Sequence, residues 1–179
     1  MQTYLRSFLS HYLQTEDLLF WQSINGGDLT FAPAGMSGNM AFMLTNRPDY
    51  TSAPRYNFDM SCLGTKAGSS YEVNALFQLL DSERVPYACN KAAPWRDPLY
   101  CILMTVEMIT KSGQRKRFHL GNNYGGAWVA EDMNTFTTRF RVSLELAQAR
   151  SAFVYFQGPP GGTSMIFDHV TITDVSTVA

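Results

Sequence analysis

Charge is scarce in this chain. Only 16% of the 179 residues are Asp, Glu, Lys or Arg, and the formal net charge is −1. Without a basic surplus there is no electrostatic reason to expect nucleic acid or an anionic membrane as partner, and neutral ligands fit better. Long apolar runs are missing as well. No stretch approaches the roughly 20 residues that a membrane-spanning helix needs. Met1 to Gln14 lacks the basic start, continuous apolar centre and small-residue cleavage site of a secretory signal. The three histidines, His11, His119 and His169, are far apart, and no CxxC or Cys/His metal spacing occurs. There is no G-x-S-x-G elbow, no internal repeat and no low-complexity tract.

What the chain does have is aromatic residues, 13% of the total, in short runs broken by glycine and proline. This length suits one well-buried domain rather than two. Residues 1–15 read as an N-terminal extension. There Tyr4, Leu5, Phe8, Leu9, Tyr12 and Leu13 share one side of a short amphipathic helix. Residues 16–179 read as the single domain.

Within it, strands are expected at Leu18–Ser23, Asn39–Thr45, Arg55–Met60, Tyr71–Leu79, Tyr100–Thr110, Arg115–Leu120 and Phe136–Val142. Two more follow at Ala152–Gln157 and Met165–Thr173. Asn25-Gly26-Gly27 and Ser112-Gly113-Gln114 are the turns between them. The clearest is Tyr71–Leu79, where Tyr71, Val73, Ala75, Phe77 and Leu79 alternate with Glu72, Asn74, Leu76 and Gln78. In Tyr100–Thr110 the row Ile102, Met104, Val106, Met108 opposes Leu103, Thr105, Glu107, Ile109. Glu131–Asn134 suits one helical turn, and Leu144–Ala149 is extended or briefly helical. About ten short strands without alternating long helices predict an all-β, two-sheet antiparallel β-sandwich.

Three cysteines are present. Cys89 and Cys101 flank the loop NKAAPWRDPLY, and a bridge closing it would stabilise the fold by about 2–3 kcal/mol. The alternative is three buried reduced thiols.

The most unusual stretch is Arg150 to Val175. Two strands flank Gly158-Pro159-Pro160-Gly161-Gly162, and alternation places Asp168 on one row with Ile166, Val170 and Ile172. A carboxylate on a core-facing row is costly unless backbone donors, an arginine such as Arg47 or a cation compensates it.

This closing pattern, YFQGPPGGTSMIFDHVTI, resembles the C-terminal end of jelly-roll carbohydrate-binding modules of families four, nine and twenty-two. AGMSGNMAFMLTNR (Ala34 to Arg47) is similar to their early strand, and CLGTKAGSSYEVNALFQL (Cys62 to Leu79) to a middle one. The resemblance runs over roughly residues 16 to 175 and implies jelly-roll topology of the galactose-binding-like kind. It also implies a noncatalytic polysaccharide-binding module, excised from a larger secreted or surface protein and extracellular or at the cell surface. Neighbouring domains would belong to the longer chain. A sandwich that has lost sugar binding and serves structure or protein interaction is the alternative. Leu76 favours it, standing where such modules often carry a ligand-face tryptophan.

Sugar rings stack on aromatics, and their hydroxyls need planar polar partners. The polar row of the middle strand offers Glu72, Asn74 and Gln78. Neighbouring strands add Thr105, Glu107, Arg117, Arg139 and Arg141. Trp95, Tyr124 and Trp128, on or beside loops, are candidate stacking platforms, and Trp128 equally suits the core. The expected sugar-binding set is Asn74, Gln78, Trp95, Glu107, Tyr124, Trp128 and Arg139. Clustered carboxylates of the glycoside-hydrolase kind are not visible along any strand, so no enzyme is expected. The resemblance further implies a structural calcium ion, with Asp168 and, near the start, Glu16 as ligands.

Overall fold

The computed structural model describes residues 21–32, 41–90, 92–93, 100–120 and 127–176. The described strands are β1 (Trp21–Ile24), β2 (Asp28–Ala32), β3 (Ala41–Thr45), β4 (Ala53–Asn57) and β5 (Ser70–Leu80). After them come β6 (Leu103–Ile109), β7 (Arg115–His119), β8 (Asn134–Arg141), β9 (Ser151–Gln157) and β10 (Ser164–Asp174). Two single-turn helices interrupt them, α1 (Met60–Leu63) and α2 (Leu144–Ala147). Pairing is antiparallel in two five-stranded sheets. Sheet A has the order β1-β4-β9-β6-β7 and sheet B the order β2-β3-β10-β5-β8. The fold is therefore the expected all-β sandwich.

The period of two that marks β5 in the sequence is realised residue by residue. Tyr71, Val73, Ala75, Phe77 and Leu79 are buried, and the residues between them are not. In β6 the row Met104, Val106 and Met108 is likewise buried. The two inner faces meet through aromatic rings. Across the two sheets Phe77 lies 5.1 Å from Phe156, Phe136 6.0 Å from Phe156 and Trp21 5.9 Å from Phe167. Burying one such side chain contributes about 1.5–3 kcal/mol, so this row supplies much of what holds the sheets together.

Several boundaries differ from the sequence expectation. β2 was not anticipated. Asn25, Gly26 and Gly27 all take positive φ, and the tight turn they make delivers DLTFA back along β3, with Leu29 opposite Leu44. β4 ends earlier than the periodicity suggests because Asp59 caps α1, accepting from the Ser61 amide at 2.8 Å. Glu131–Asn134 forms no helix. Asn134 opens β8 instead, donating to the Val129 and Asp132 carbonyls and accepting from the Val129 amide. The leading segment expected to be an amphipathic helix lies outside the described residues.

The closing strand carries the main correction. β10 contains a bulge between Asp168 and Thr171, and His169 takes φ 48°. Two residues there oppose one on β5, so the faces exchange. Phe167 is fully buried ahead of the bulge and Val170 is buried after it. Asp168 pairs with Leu76 and shares the outer row with Ile166, not the inner row with Val170 and Ile172. Its burial, 3% exposed, arises on the outside of sheet B.

Cys89 and Cys101 are disulfide-bonded with Cα atoms 5.0 Å apart, and Cys62 is a free thiol. The turn Gly158–Gly162 explains its own composition. A Cβ on Gly158 would meet the Cys101 carbonyl oxygen at 2.4 Å, and one on Gly161 would meet that of Pro48 at 2.4 Å.

Candidate functional site

The outer face of sheet A carries a groove of about 600 Å³. Strand register builds it. One transverse row runs Gln22, Arg55, Tyr155, Thr105, His119, and the next runs Phe153, Glu107, Arg117. Every one of these residues is on the parity opposite to a core residue, so the side chains stand on the outside. Asn25, Asp49, Thr51 and Gln157 complete the lining with Ile24 and Arg115.

Glu107 is the centre of this face. Its side chain is 3% exposed and lies between two arginines, with Arg117 Nε at 2.6 Å from Oε2 and Arg115 Nε at 2.9 Å from Oε1. The Tyr155 hydroxyl donates to Oε2 at 3.3 Å. The hydrogen bond to Glu107 raises the pKa of Arg117. Burial pushes the Tyr155 phenol up to about 12; Arg117 counteracts that shift and Glu107 reinforces it. Gln157 donates to the Thr105 hydroxyl at 3.2 Å, and Thr105 shares a 2.9 Å hydrogen bond with His119 Nδ1. Arg55 places its guanidinium carbon over Phe153, 4.8 Å from the ring centre, and its Nη2 donates to Gln22 at 2.7 Å. Phe153 and Tyr155 are 8% and 3% exposed, so arginines and not ring faces present the surface of the groove.

One rim of the groove rests on Arg47. Its guanidinium is 2% exposed and bonds the carbonyls of Ser52 (2.9 Å), Pro159 (2.8 Å), Pro160 (3.2 Å), Thr163 (3.3 Å) and Asp49 (3.4 Å). Burial pulls its pKa down to about 10, which leaves it charged at neutral pH. Arg47 therefore ties the Asp49–Ser52 segment to the Gly158–Gly162 turn, and does not pair with Asp168. On that segment Asp49 accepts from the Thr51 amide and hydroxyl, which hold its carboxyl below the ordinary range.

The sequence-derived sugar-binding set is split by the sandwich. Glu107 belongs to the groove on sheet A. Asn74, Gln78 and Arg139 stand on the outer face of sheet B, so these residues do not form one surface with it. There each is engaged by neighbours on the same face or the adjoining loop. Arg139 holds Glu72 at 2.7 Å, Asn74 donates to Glu72 at 3.1 Å and accepts from Thr137 at 2.7 Å, and Gln78 donates to the Ala130 carbonyl at 3.2 Å. Trp128 is 8% exposed and packs into the core, the alternative its sequence position allowed. Trp95 and Tyr124 lie outside the described residues. Arg55, Arg115, Tyr155 and Gln157 were not singled out from the sequence. Their signal was the outward parity of three short strands, which only becomes a surface once strand order is known.

Comparison with known proteins comes down to structure. No protein-family profile and no curated protein matches the sequence. Among solved structures, the CBM22-1 xylan-binding domain of Paenibacillus barcinonensis Xyn10C superposes with a TM-score of 0.66 at 14% identity, covering 96% of both chains. This chain has the fold of the family 22 carbohydrate-binding modules. The CBM22-2 xylan-binding domain of the same enzyme gives a TM-score of 0.64 at 10% identity, over 96% of this chain and all of that one. The CBM22-1–GH10 part of Clostridium thermocellum Xyn10B, complexed with xylohexaose, gives 0.61 at 14% identity. There the match spans 87% of this chain and 26% of the other.

The calcium ion that the resemblance implies bears on the surroundings of Asp168. Its Oδ1 accepts from the His169 amide at 2.7 Å and lies 3.1 Å from His169 Nδ1. Its Oδ2 is buried with no hydrogen-bond partner among the described residues. One orphaned carboxylate oxygen suits a cation ligand. Calcium takes six to eight oxygens, however, and no group of three acidic, His or Cys side chains exists among the described residues. Glu16 lies outside them. The described residues therefore offer one candidate oxygen and do not by themselves make a calcium site.

Proposed function

We propose that this protein is a noncatalytic carbohydrate-binding module that holds a polysaccharide chain in the groove on sheet A. The observation that carries the reading is the groove itself. Arg55, Arg115, Arg117, Glu107, Thr51, Asn25 and Gln157 offer planar and hydroxyl partners along an open channel. Sugar hydroxyls need such partners fixed in place, and Glu107 fixes two of the arginines. The likeness in fold to xylan-binding domains supports the same reading. Trp95 and Tyr124 remain proposed stacking residues, and Asn74, Gln78 and Arg139 enter the proposal only as a contrasting surface.

Affinity electrophoresis against soluble xylan, mixed-linkage glucan and mannan is the direct test. Retardation by at least one polymer, lost in Arg55→Ala or Gln157→Ala, is the expected result. No retardation by any of them would leave the structural or protein-interaction sandwich, with Leu76 in place of a ligand-face tryptophan, as the better reading.

An extracellular or cell-surface location is proposed with it. The Cys89–Cys101 disulfide supports that location, since such bonds persist in oxidising compartments. Attachment to a catalytic or second binding domain is proposed from the arrangements in which the similar modules occur. The orphaned Asp168 oxygen keeps a structural cation in the proposal, completed by residues outside the described set. Treatment with a chelator should then lower the melting temperature. An unchanged melt, with no calcium found by elemental analysis, removes the ion.

A further inference from the structure

The groove on sheet A is cationic in a chain that is otherwise almost neutral. Three arginines, Arg55, Arg115 and Arg117, line it against two carboxylates, Glu107 and Asp49. The three bases against two acids leave a formal excess of one positive charge, and the two acids sit differently. Asp49 is engaged by Thr51 within its own turn. Glu107 is buried beneath the arginines it holds.

The geometry of that triad matters. Arg115 and Arg117 both meet Glu107 through Nε, and their side chains are 60% and 49% exposed. Arg117 hydrogen-bonds the acid and Arg115 pairs with it as an ion. Nε shares one edge of the guanidinium with the nearer terminal nitrogen, so that edge faces the acid and the outer edge, made by the two terminal nitrogens, is left for a ligand. Arg55 has a buried Nε without a hydrogen-bond partner among the described residues, and it covers Phe153, one of the two rings, with Tyr155, that line the groove. A surface of oriented guanidinium edges over a covered aromatic floor suits planar anions more than bare sugar rings.

We propose that the ligand of this groove is an acidic polysaccharide, one bearing uronic-acid carboxylates, and that Arg115 and Arg117 receive those carboxylates. This rests on the carbohydrate-binding reading and narrows it. A carboxylate is favoured over a sulfate ester because its two coplanar oxygens match one guanidinium edge bidentately. The neutral sugar backbone then lies along Asn25, Thr51 and Gln157.

The test compares a glucuronic-acid-substituted xylan with the same polymer after chemical reduction of its carboxyl groups, by calorimetry with the full chain in 150 mM salt. Polygalacturonate and dextran sulfate serve as further probes. A charge-assisted hydrogen-bonded pair is lost on reduction, so at least about tenfold weaker binding is expected for the reduced polymer. In Arg115→Gln the acidic-over-reduced ratio should fall toward one. Circular dichroism checks that this variant is folded, and the comparison of polymers on the unaltered protein does not depend on it. Equal binding of the acidic and reduced polymers overturns the inference and leaves a neutral-sugar module. Dextran sulfate bound as tightly as the uronic-acid polymers overturns it in favour of unspecific charge attraction. No binding to any of the four overturns both the inference and the reading beneath it.

Discussion

The two sheets turn opposite kinds of polar surface outward. On sheet B, Glu72 is shared between Arg139 and Asn74, and Asn74 in turn accepts from Thr137, a ladder whose members lie near the surface and satisfy one another. On sheet A, Glu107 is buried and two arginines close over it. Both faces contain an acid held by arginine and by a neutral partner, and both read alike as alternating polar positions. The difference is depth. Solvent screens the Glu72 network, and exposed ion pairs are worth about 0–1 kcal/mol. The Glu107 cluster is partly shielded, holds its geometry, and leaves donors unspent at the surface.

The sharpest break of this comparison is Arg47→Ala. It removes the group that satisfies five carbonyls behind the rim of the sheet A groove, and no counterpart exists on the described part of sheet B. A loss of about 3 kcal/mol or more is expected, since buried polar groups left unpaired cost the desolvation they no longer recover. Urea unfolding measures it. Arg47→Lys should recover little, because one ammonium cannot reach all five oxygens. A cost below about 1 kcal/mol would show that the rim does not depend on this residue.

Next in size is the pair Glu107→Gln and Glu72→Gln. The first should cost about 2 kcal/mol, less than for a fully enclosed pair because its arginines are half exposed. The second should cost less than about 0.5 kcal/mol. Only the first should weaken polysaccharide binding in affinity electrophoresis. Equal costs, or lost binding in both, would erase the distinction between the faces.

The smallest effect concerns pH. Burial raises the Tyr155 phenol from its ordinary 10.0 to about 12. Its contribution to stability is therefore complete below pH 10 and disappears as pH climbs toward 12, where the folded phenol also ionises. Tyr155→Phe should flatten that alkaline decline, measured by urea midpoints between pH 9 and 12. The Glu72 carboxyl is displaced the other way, held below its ordinary 4.5 by Asn74 and Arg139. Its contribution is present above the unfolded value and fades as pH falls through the lowered one. Glu72→Gln should soften the acid side only.

Much of the sandwich was legible because burial leaves a period of two in the chain. The inner row of β5 and the Met104, Val106, Met108 row of β6 are both readable as letters, since one face of each must exclude water. The bulge in β10 was not legible. A single extra residue at His169 leaves every letter in place and exchanges the faces beyond it, so Asp168 joined the wrong row. Thr105, Glu107 and Arg117 are readable together as polar residues of outward rows, but the same reading joins them to Asn74, Gln78 and Arg139, which stand on the other sheet. Alternation says inside or outside, never which sheet or which neighbour. Asn74 and Glu107 obey the same rule in sequence and stand on opposite sides of the molecule.

By itself, then, the sequence determined the number and faces of most strands, the loop that Cys89 and Cys101 enclose, and the turn at Gly158–Gly162. These follow from local chemistry and from water avoidance along one chain. Tertiary structure alone decided that Arg55, Glu107, Arg117 and Tyr155 share a groove. They come from four strands as far apart as positions 55 and 155, and only the order β4-β9-β6-β7 brings their outward rows side by side.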